Sequence, residues 1–172
     1  MDDADGTNTS CGTLRRPNRI IIAMRYIAYR AVQAIWGFPQ SLASAVVLAV
    51  HARRPHFGFH GAVVTTWKQA KGLSLGPFIF LHGSADLKQA PTSVNSGLLV
   101  HEYGHTIQSL ILGPLYLPVI GIPSFIWSNT PALVRKRQRE QRSYYSFWVE
   151  RSANWLGEQA LGCPSIGQAI VD

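Results

Sequence analysis

The sequence predicts a mainly helical α+β fold, and three observations predict it. Hydrophobic residues make up 47% of the 172 residues and charged residues only 15%, whereas soluble domains usually carry about 25% charged residues. Residues 56–81 are aromatic, β-branched and rich in glycine, which is typical of short strands. Apolar segments bounded by Gly and Pro on both sides of this stretch indicate helices. We therefore expect N-terminal membrane-associated helices, then a short β-hairpin, then a C-terminal pair of helices.

The N-terminal third divides into a tail and a helical region. Residues 1–18 are polar and read as a disordered tail. Residues 19–54 read as an amphipathic and membrane helix region, since Arg25 and Arg30 interrupt its first apolar segment as in a helix at a membrane interface. Residues 34–50 carry no charge and nearly reach the length of about 20 residues that a spanning helix needs. A spanning or deeply inserted helix is expected there, with a buried core helix as the alternative.

The net charge of +7 fits either nucleic acid or an anionic membrane surface. The placement of the charges favours the membrane, because the basic residues flank apolar segments. No motif of a nucleic-acid-binding domain is present, so membrane lipid is the expected partner and nucleic acid is not. The flanking residues are Arg15, Arg16, Arg19, Arg25, Arg30, Arg53 and Arg54 around the first apolar segment, and Arg135, Lys136, Arg137, Arg139 and Arg142 after the second.

The remaining elements follow from composition and from turn signals. Two short strands, His56–Trp67 and Leu73–Leu81, are expected to pair as a hairpin. A polar loop over residues 83–96 leads to a helix that is capped by Ser93 or Ser96 and ends at Gly113-Pro114. The other elements are a helix that begins at Thr130-Pro131 and a helix from Tyr144 to Leu156 that ends near Gly157.

The chain has two cysteines, Cys11 and Cys163. Two thiols can form neither a disulfide framework nor a thiolate zinc cluster. We expect both to be free thiols in a reducing compartment.

The segment VHEYGHT, residues 100–106, has the spacing of a zinc site. His101 and His105 are separated by about 40° and about 6 Å on a helix, so both imidazoles point to one side. Neutral imidazoles at this spacing suit Zn²⁺, which would lower the pKa of a water toward about 7, and Glu102 would take its proton as general base. Gly104 would allow the helix to pack closely against a strand. The alternative is two ordinary histidines in an apolar helix.

A catalytic zinc usually takes a third protein ligand. Glu150 is the best candidate, because its helical segment is largely apolar and an isolated carboxylate there would be costly unless it is paired or bound to metal. An ion pair with Arg142 or Arg151 is the alternative role for Glu150. His60 and His82 are possible substitute ligands.

HEYGH followed by ERSAN, residues 150–154, resembles the gluzincin type of zincin metallopeptidases. Their signature is H-E-x-x-H with a later E-x-x-x-D, often E-x-x-A-D in membrane-bound members such as the CAAX prenyl proteases. The resemblance implies three zinc ligands (His101, His105 and Glu150), a catalytic base (Glu102) and a possible oxyanion donor (Tyr144 or Tyr145, unless both only pack). Asn154 replaces the aspartate that orients a ligand histidine in the family, so the hydrogen bond remains possible but the negative charge is lost.

The run from His101 to Trp127 is also similar to short uncharacterised bacterial membrane proteins with one zincin motif. This resemblance implies a location at the bacterial inner membrane. A shared zinc site forbids residues 110–127 from crossing a bilayer, because His105 and Glu150 must lie on the same side. The basic run 135–142 then places the site on the cytoplasmic side.

These residues predict a membrane-associated zinc metallopeptidase that cleaves a peptide or protein substrate, with residues 55–172 as the zincin-like metal-binding domain. Two alternatives use the same residues. One is a zinc-stabilised membrane scaffold or interaction protein without turnover. The other is a zinc hydrolase that acts on something other than peptides.

Overall fold

Helices dominate the structure, and a small mixed sheet lies among them. The computed structural model describes residues 19–69, 72–82 and 94–166. The predicted tail, residues 1–18, and most of the predicted loop before the HEYGH helix lie outside the described residues. The prediction of a mainly helical α+β fold is confirmed in its content of helices and strands.

Two helices open the described chain, α1 (Arg19–Ile35) and α2 (Phe38–Val50). The chain bends by 104° between them. Pro39 lies in the first turn of α2, where a proline is tolerated because its missing N–H would have no partner within the helix. The uncharged run 34–50 is therefore not one continuous helix.

No single helix in the described ranges combines the length and the apolarity needed to cross a bilayer. Two pairs of consecutive helices reach this length and apolarity when the two helices of a pair are taken together, but each pair is bent at the break between its helices. One is Ala23–Ile35 with Phe38–Val50, and the other is Leu117–Asn129 with Pro131–Arg139, which bends by 69°.

The predicted hairpin is in fact a four-stranded sheet with the order β1-β2-β4-β3. Each of the two predicted strands folds back on itself, because glycine turns divide them: His60 and Gly61 both have positive φ (46° and 92°), as the tightest hairpin turns require. The two hairpins join through a parallel pairing of β2 with β4. The strands are β1 (His56–Phe59), β2 (Ala62–Trp67), β3 (Leu73–Leu75) and β4 (Phe78–His82).

Helix α3 (Val94–Leu112) carries HEYGH and packs on this sheet. Four fully buried residues of β2 and β4 form the centre of the contact, with Leu98, Leu99 and Tyr103 of α3 against them. The sheet residues are Ala62, Val64, Ile79 and Leu81. One side of α3 is thus fixed by the sheet, which leaves its other side for α6.

The chain after α3 turns through short irregular helices before it returns. Helix α3 ends at Leu112, as predicted, and is followed by a 3-10 turn (Gly113–Leu115) and a π-helical turn (Leu117–Gly121). Helix α5 begins at Pro131, also as predicted. The later helices are α4 (Ile122–Asn129), α5 (Pro131–Arg139), a 3-10 turn (Tyr144–Ser146) and α6 (Trp148–Leu161).

Two glycines determine how closely α3 and α6 approach. A Cβ added at Gly104 would overlap the carbonyl of Ala153, and one added at Gly157 would overlap the carbonyl of Val100. The predicted close contact of Gly104 is therefore real, but its partner is a helix and not a strand. The prediction that the last helix ends near Gly157 is wrong for the same reason, since Gly157 serves packing and Gly162, with φ of 64°, ends the helix.

Cys163, which follows α6, forms a disulfide, so the expected free thiol at this position is wrong. Sequence spacing alone does not reveal whether a cysteine forms a disulfide. Cys11 lies outside the described residues.

Candidate metal centre

Three side chains from two helices converge on one point. The Nε2 atoms of His101 and His105 on α3 lie 3.2 Å and 3.3 Å from Oε2 of Glu150 on α6. One ligand atom from each residue lies within 4.8 Å of the others, and all three residues are buried. A tetrahedral ion with bonds of about 2.1 Å holds its ligand atoms about 3.4 Å apart. The cluster could therefore hold a metal ion without large movement of its ligands.

Two amide side chains orient the imidazoles. Nδ1 of His101 lies 2.7 Å from Oδ1 of Asn154, and Nδ1 of His105 lies 2.7 Å from Oε1 of Gln108. The Gln108 amide is itself oriented, since its Nε2 donates to the backbone O of Val149 and to Oγ of Ser152. Each Nδ1 is therefore placed to donate its proton to an oxygen, which leaves Nε2 as the ring atom that can bind a metal ion when it carries no proton.

The electrostatics of the cluster favour positive charge beside Glu150. Burial alone would raise the pKa of the Glu150 carboxyl, but hydrogen bonds from His101 and His105 outweigh it and hold that pKa well below its usual range. Burial likewise opposes a charge on His105, while the hydrogen bond and charge of Glu150 raise its pKa. The carboxylate is thus ionised, and positive charge beside it is stabilised.

The second oxygen of Glu150 is held by another helix. Ser124 on α4 donates from Oγ to Oε1 of Glu150 at 2.5 Å. The hydroxyl of Tyr144 lies 3.5 Å from the same Oγ. Oε2 of Glu150 therefore faces the histidines, while its Oε1 accepts the hydrogen bond from Ser124.

Glu102 lies beside the cluster and not within it. It is 4% exposed, and its Oε2 accepts a hydrogen bond of 2.7 Å from Ser74 on β3. Tyr116 donates to the backbone O of Ser74 at 2.9 Å, which fixes this part of β3. Gly72 lies directly against the carboxylate, and a Cβ there would overlap Oε1. The glycine thus leaves the space in which the Glu102 carboxylate lies.

A cavity of about 710 Å³ opens onto the site. Both carboxylates and both histidines line it, with Tyr144, Tyr145 and largely apolar walls. The Tyr145 ring packs edge-on against His101 at 5.1 Å between centroids. Burial, together with the charges of Glu102 and Glu150, raises the pKa of Tyr145 to about 12, and it raises that of Tyr144 as well. Both phenols are protonated at neutral pH and can donate hydrogen bonds into the cavity.

The other candidates from the sequence lie elsewhere. Arg142 pairs with Glu140 at 3.0 Å, and Arg151 is exposed. Glu150 instead contacts the two histidines, Ser124 and Tyr144. His60 packs between Phe59 and Tyr103, and His82 contacts the backbone O of Gln69. The two substitute histidines are not part of the cluster.

Sequence reasoning missed three residues of the site: Gln108, Ser74 and Ser124. Gln108 had a usable signal, since it lies three residues after His105 on the same helical face. Ser74 and Ser124 come from elements distant in sequence, and only the fold brings them to the carboxylates.

Comparison with protein-family models, curated proteins and solved structures finds no match to this chain. The likeness to gluzincins remains a prediction from the motif residues. The function of the protein is therefore inferred from the geometry of the site.

Proposed function

We propose that this protein is a zinc-dependent metallopeptidase, with His101, His105 and Glu150 as zinc ligands and Glu102 as general base. The observation that carries the proposal is the combination of three converging buried ligands, a second carboxylate (Glu102) beside them, and a cavity that opens onto all four residues.

The donor set fits zinc better than the common hard cations. Two imidazole nitrogens and one carboxylate oxygen suit Zn²⁺, whereas Mg²⁺ and Ca²⁺ prefer sites built from oxygen. The ligand separations of 3.2 Å and 3.3 Å agree with a tetrahedral arrangement. Other imidazole-binding metals such as Cu²⁺ and Ni²⁺ favour tetragonal geometry.

Three protein ligands with an adjoining cavity favour catalysis over a purely structural role. Structural zinc sites are usually closed by four protein ligands, while catalytic sites leave a position for water or substrate. Zinc, when bound, would polarise a substrate carbonyl and acidify a water molecule.

The side chains around the cluster can carry the proton transfers. Glu102, oriented by Ser74, would accept the proton from water at its carboxylate and pass it to the leaving amine. Tyr145, protonated and next to His101, would donate a hydrogen bond to the developing oxyanion. Tyr144 is held nearer Ser124 and Glu150, so it is the weaker donor candidate.

One observation favours a second candidate, a zinc-stabilised protein without turnover. The His101 imidazole is oriented by the neutral amide of Asn154 and not by a carboxylate. A neutral partner makes the ligand histidine less basic and supports the metal less strongly. This candidate predicts that zinc is needed for folding and that Glu102 is dispensable.

The test compares the wild-type protein with Glu102→Gln and with a matched control, Glu140→Gln, whose carboxylate pairs with Arg142 away from the site. Metal content by mass spectrometry and cleavage of a peptide library would be measured for all three. We expect zinc in all three and a loss of cleavage of roughly 10²- to 10⁴-fold in Glu102→Gln alone. Undiminished cleavage by Glu102→Gln would eliminate the assigned base, and cleavage of esters but not peptides would favour the non-peptidase hydrolase.

A further inference from the structure

Helix α2 has the polarity of its two faces reversed relative to a helix in water. Its exposed large side chains are all apolar and recur every fourth residue: Phe38, Leu42, Val46 and Val50. Its polar residues, Gln40, Ser41 and Ser44, are all buried. The helix contains no charged residue. A surface helix in water places its polar residues outward and its apolar residues toward the core.

The buried polar residues join three helices. Gln40 donates to Oγ of Ser109 and to the backbone O of Gly113, both at 2.9 Å, and Ser109 donates to Oε1 of Gln33 at 2.9 Å. Gln33, on α1, in turn donates to the backbone O of Thr106 at 2.8 Å. Hydrogen bonds of this kind between helices, with apolar residues turned outward, are typical of packing in lipid.

The exposed apolar surface continues past α2 onto its neighbours. The Trp36 indole, 52% exposed, packs against the backbone of Gly113 at the end of α3. The turn that begins there exposes Leu115 (58%). We use the term apolar face for Trp36, Phe38, Leu42, Val46, Val50 and Leu115.

Basic side chains border this face along the chain. Arg30 precedes the bend between α1 and α2, and Arg53 and Arg54 follow α2; all three are exposed. Positive charge beside an apolar surface is complementary to anionic lipid headgroups. The same charges would repel one another if two copies of the chain met through this face.

We propose that the apolar face inserts into one leaflet of an anionic bilayer. Helix α2 has 13 residues and is roughly 20 Å long, which is shorter than the hydrocarbon core of about 30 Å. The 104° bend before it means that α1 and α2 do not form one straight helix that could span the core together. The surface holds the protein to the membrane without crossing it, and this holds whether or not the metal site is catalytic.

The test is vesicle flotation of the full chain, purified in mild detergent that is then removed in the presence of vesicles. The variant Leu42→Glu/Val46→Glu places two charges on the face. Gln159→Glu/Ala160→Glu adds the same charge at exposed positions of α6 and serves as the control. Vesicles of phosphatidylcholine alone and vesicles that also contain phosphatidylglycerol would be compared, with circular dichroism as the check on folding.

We expect the wild-type protein and the control to float with vesicles, and the double variant to lose at least tenfold in partitioning. Phosphatidylglycerol should increase wild-type binding by about fivefold for each arginine that reaches the headgroups, and Arg53→Gln/Arg54→Gln should remove that gain. If Leu42→Glu/Val46→Glu fails to fold, Leu42→Ser/Val46→Ser replaces it. Flotation of a folded variant at the wild-type level would overturn the proposal. A second result would also overturn the proposal. In it, the wild-type protein is a dimer in sedimentation and fails to bind vesicles, and Leu42→Glu/Val46→Glu dissociates the dimer.

Discussion

Ser124 donates a 2.5 Å hydrogen bond to one oxygen of Glu150, while the other oxygen of this carboxylate faces the Nε2 atoms of His101 and His105. Helix α4 thereby determines which oxygen of Glu150 on α6 faces the two histidines. The relationship links the irregular turns after α3 directly to the metal site.

Replacing Ser124 with Ala should weaken zinc binding without removing a ligand. Without the hydrogen bond, the Glu150 carboxylate can rotate, and partners of this kind are worth roughly 10- to 100-fold in metal affinity. Competition with a chromogenic chelator would measure the change. Ser146→Ala, at an exposed serine bonded to the backbone of Ser143, is the matched control and should leave the affinity unchanged.

Replacing Asn154 with Asp should strengthen zinc binding. The added charge would lie 2.7 Å from Nδ1 of His101, on the side away from the metal, and would make the imidazole a better donor. Asn154→Leu should lower the affinity by roughly 10- to 100-fold, because the imidazole then loses its acceptor. An equal zinc affinity in the Asp and Leu variants would show that the contact of residue 154 with His101 does not affect zinc binding.

Replacing Gly72 with Ala should impair Glu102 while leaving the metal in place. The added methyl group would overlap Oε1 of Glu102, whose Oε2 is held by Ser74, so the carboxylate must leave its position. Cleavage should fall by at least tenfold at unchanged zinc content. Gly58→Ala, where a Cβ meets nothing within 4 Å, is the control. Full activity in Gly72→Ala would show that the position of the base is not critical.

Removing zinc should destabilise the fold, since three buried ligands from two helices would then lack their common partner. A ligand present at about 100 times its dissociation constant adds about 2.7 kcal/mol to the stability. Thermal unfolding with a chelator and with added zinc would measure this difference. In Glu150→Gln the midpoint of thermal unfolding should be nearly the same with the chelator as with added zinc. A zinc-dependent shift that is as large in Glu150→Gln as in the wild type would mean that the metal binds elsewhere.

The sequence was informative where the chemistry depends on local spacing. His101, Glu102 and His105 lie on one helical turn, and the helix ends at Gly113-Pro114 and Thr130-Pro131 have strong local signals. Glu150 could be singled out because a carboxylate in an apolar helix needs a partner. The helix positions were predicted correctly because they depend on a few neighbouring residues, and the structure brings Glu150 to the two histidines.

The sequence was less informative where tertiary contacts decide. The turn at His60-Gly61 divides a run that reads as one strand, and the bend before Phe38 divides a run that reads as one helix. Ser74 and Ser124 reach the carboxylates only through the path of the fold. Gly157 resembled a helix end, but its role depends on its contact with Val100 of α3, which is 57 residues away in the sequence.

Replacing Gly104 or Gly157 with Ala should destabilise the pairing of α3 with α6. In both cases the new methyl group would meet a backbone carbonyl, that of Ala153 or that of Val100, so a change of rotamer cannot relieve the overlap. Overpacking in a core typically costs about 1–3 kcal/mol, and denaturant unfolding would measure it, with Gly58→Ala as the control.

Because the obstacle at Gly104 is the carbonyl of Ala153 and not its methyl group, adding Ala153→Gly should not restore stability to Gly104→Ala. Zinc affinity should fall in the Gly104→Ala and Gly157→Ala variants, since moving the helices apart also separates the histidines from Glu150. A Gly104→Ala variant with wild-type stability and zinc affinity would show that the helices can separate without disturbing the site. Rescue by Ala153→Gly would mean instead that side-chain packing, and not backbone contact, sets the spacing of the helices.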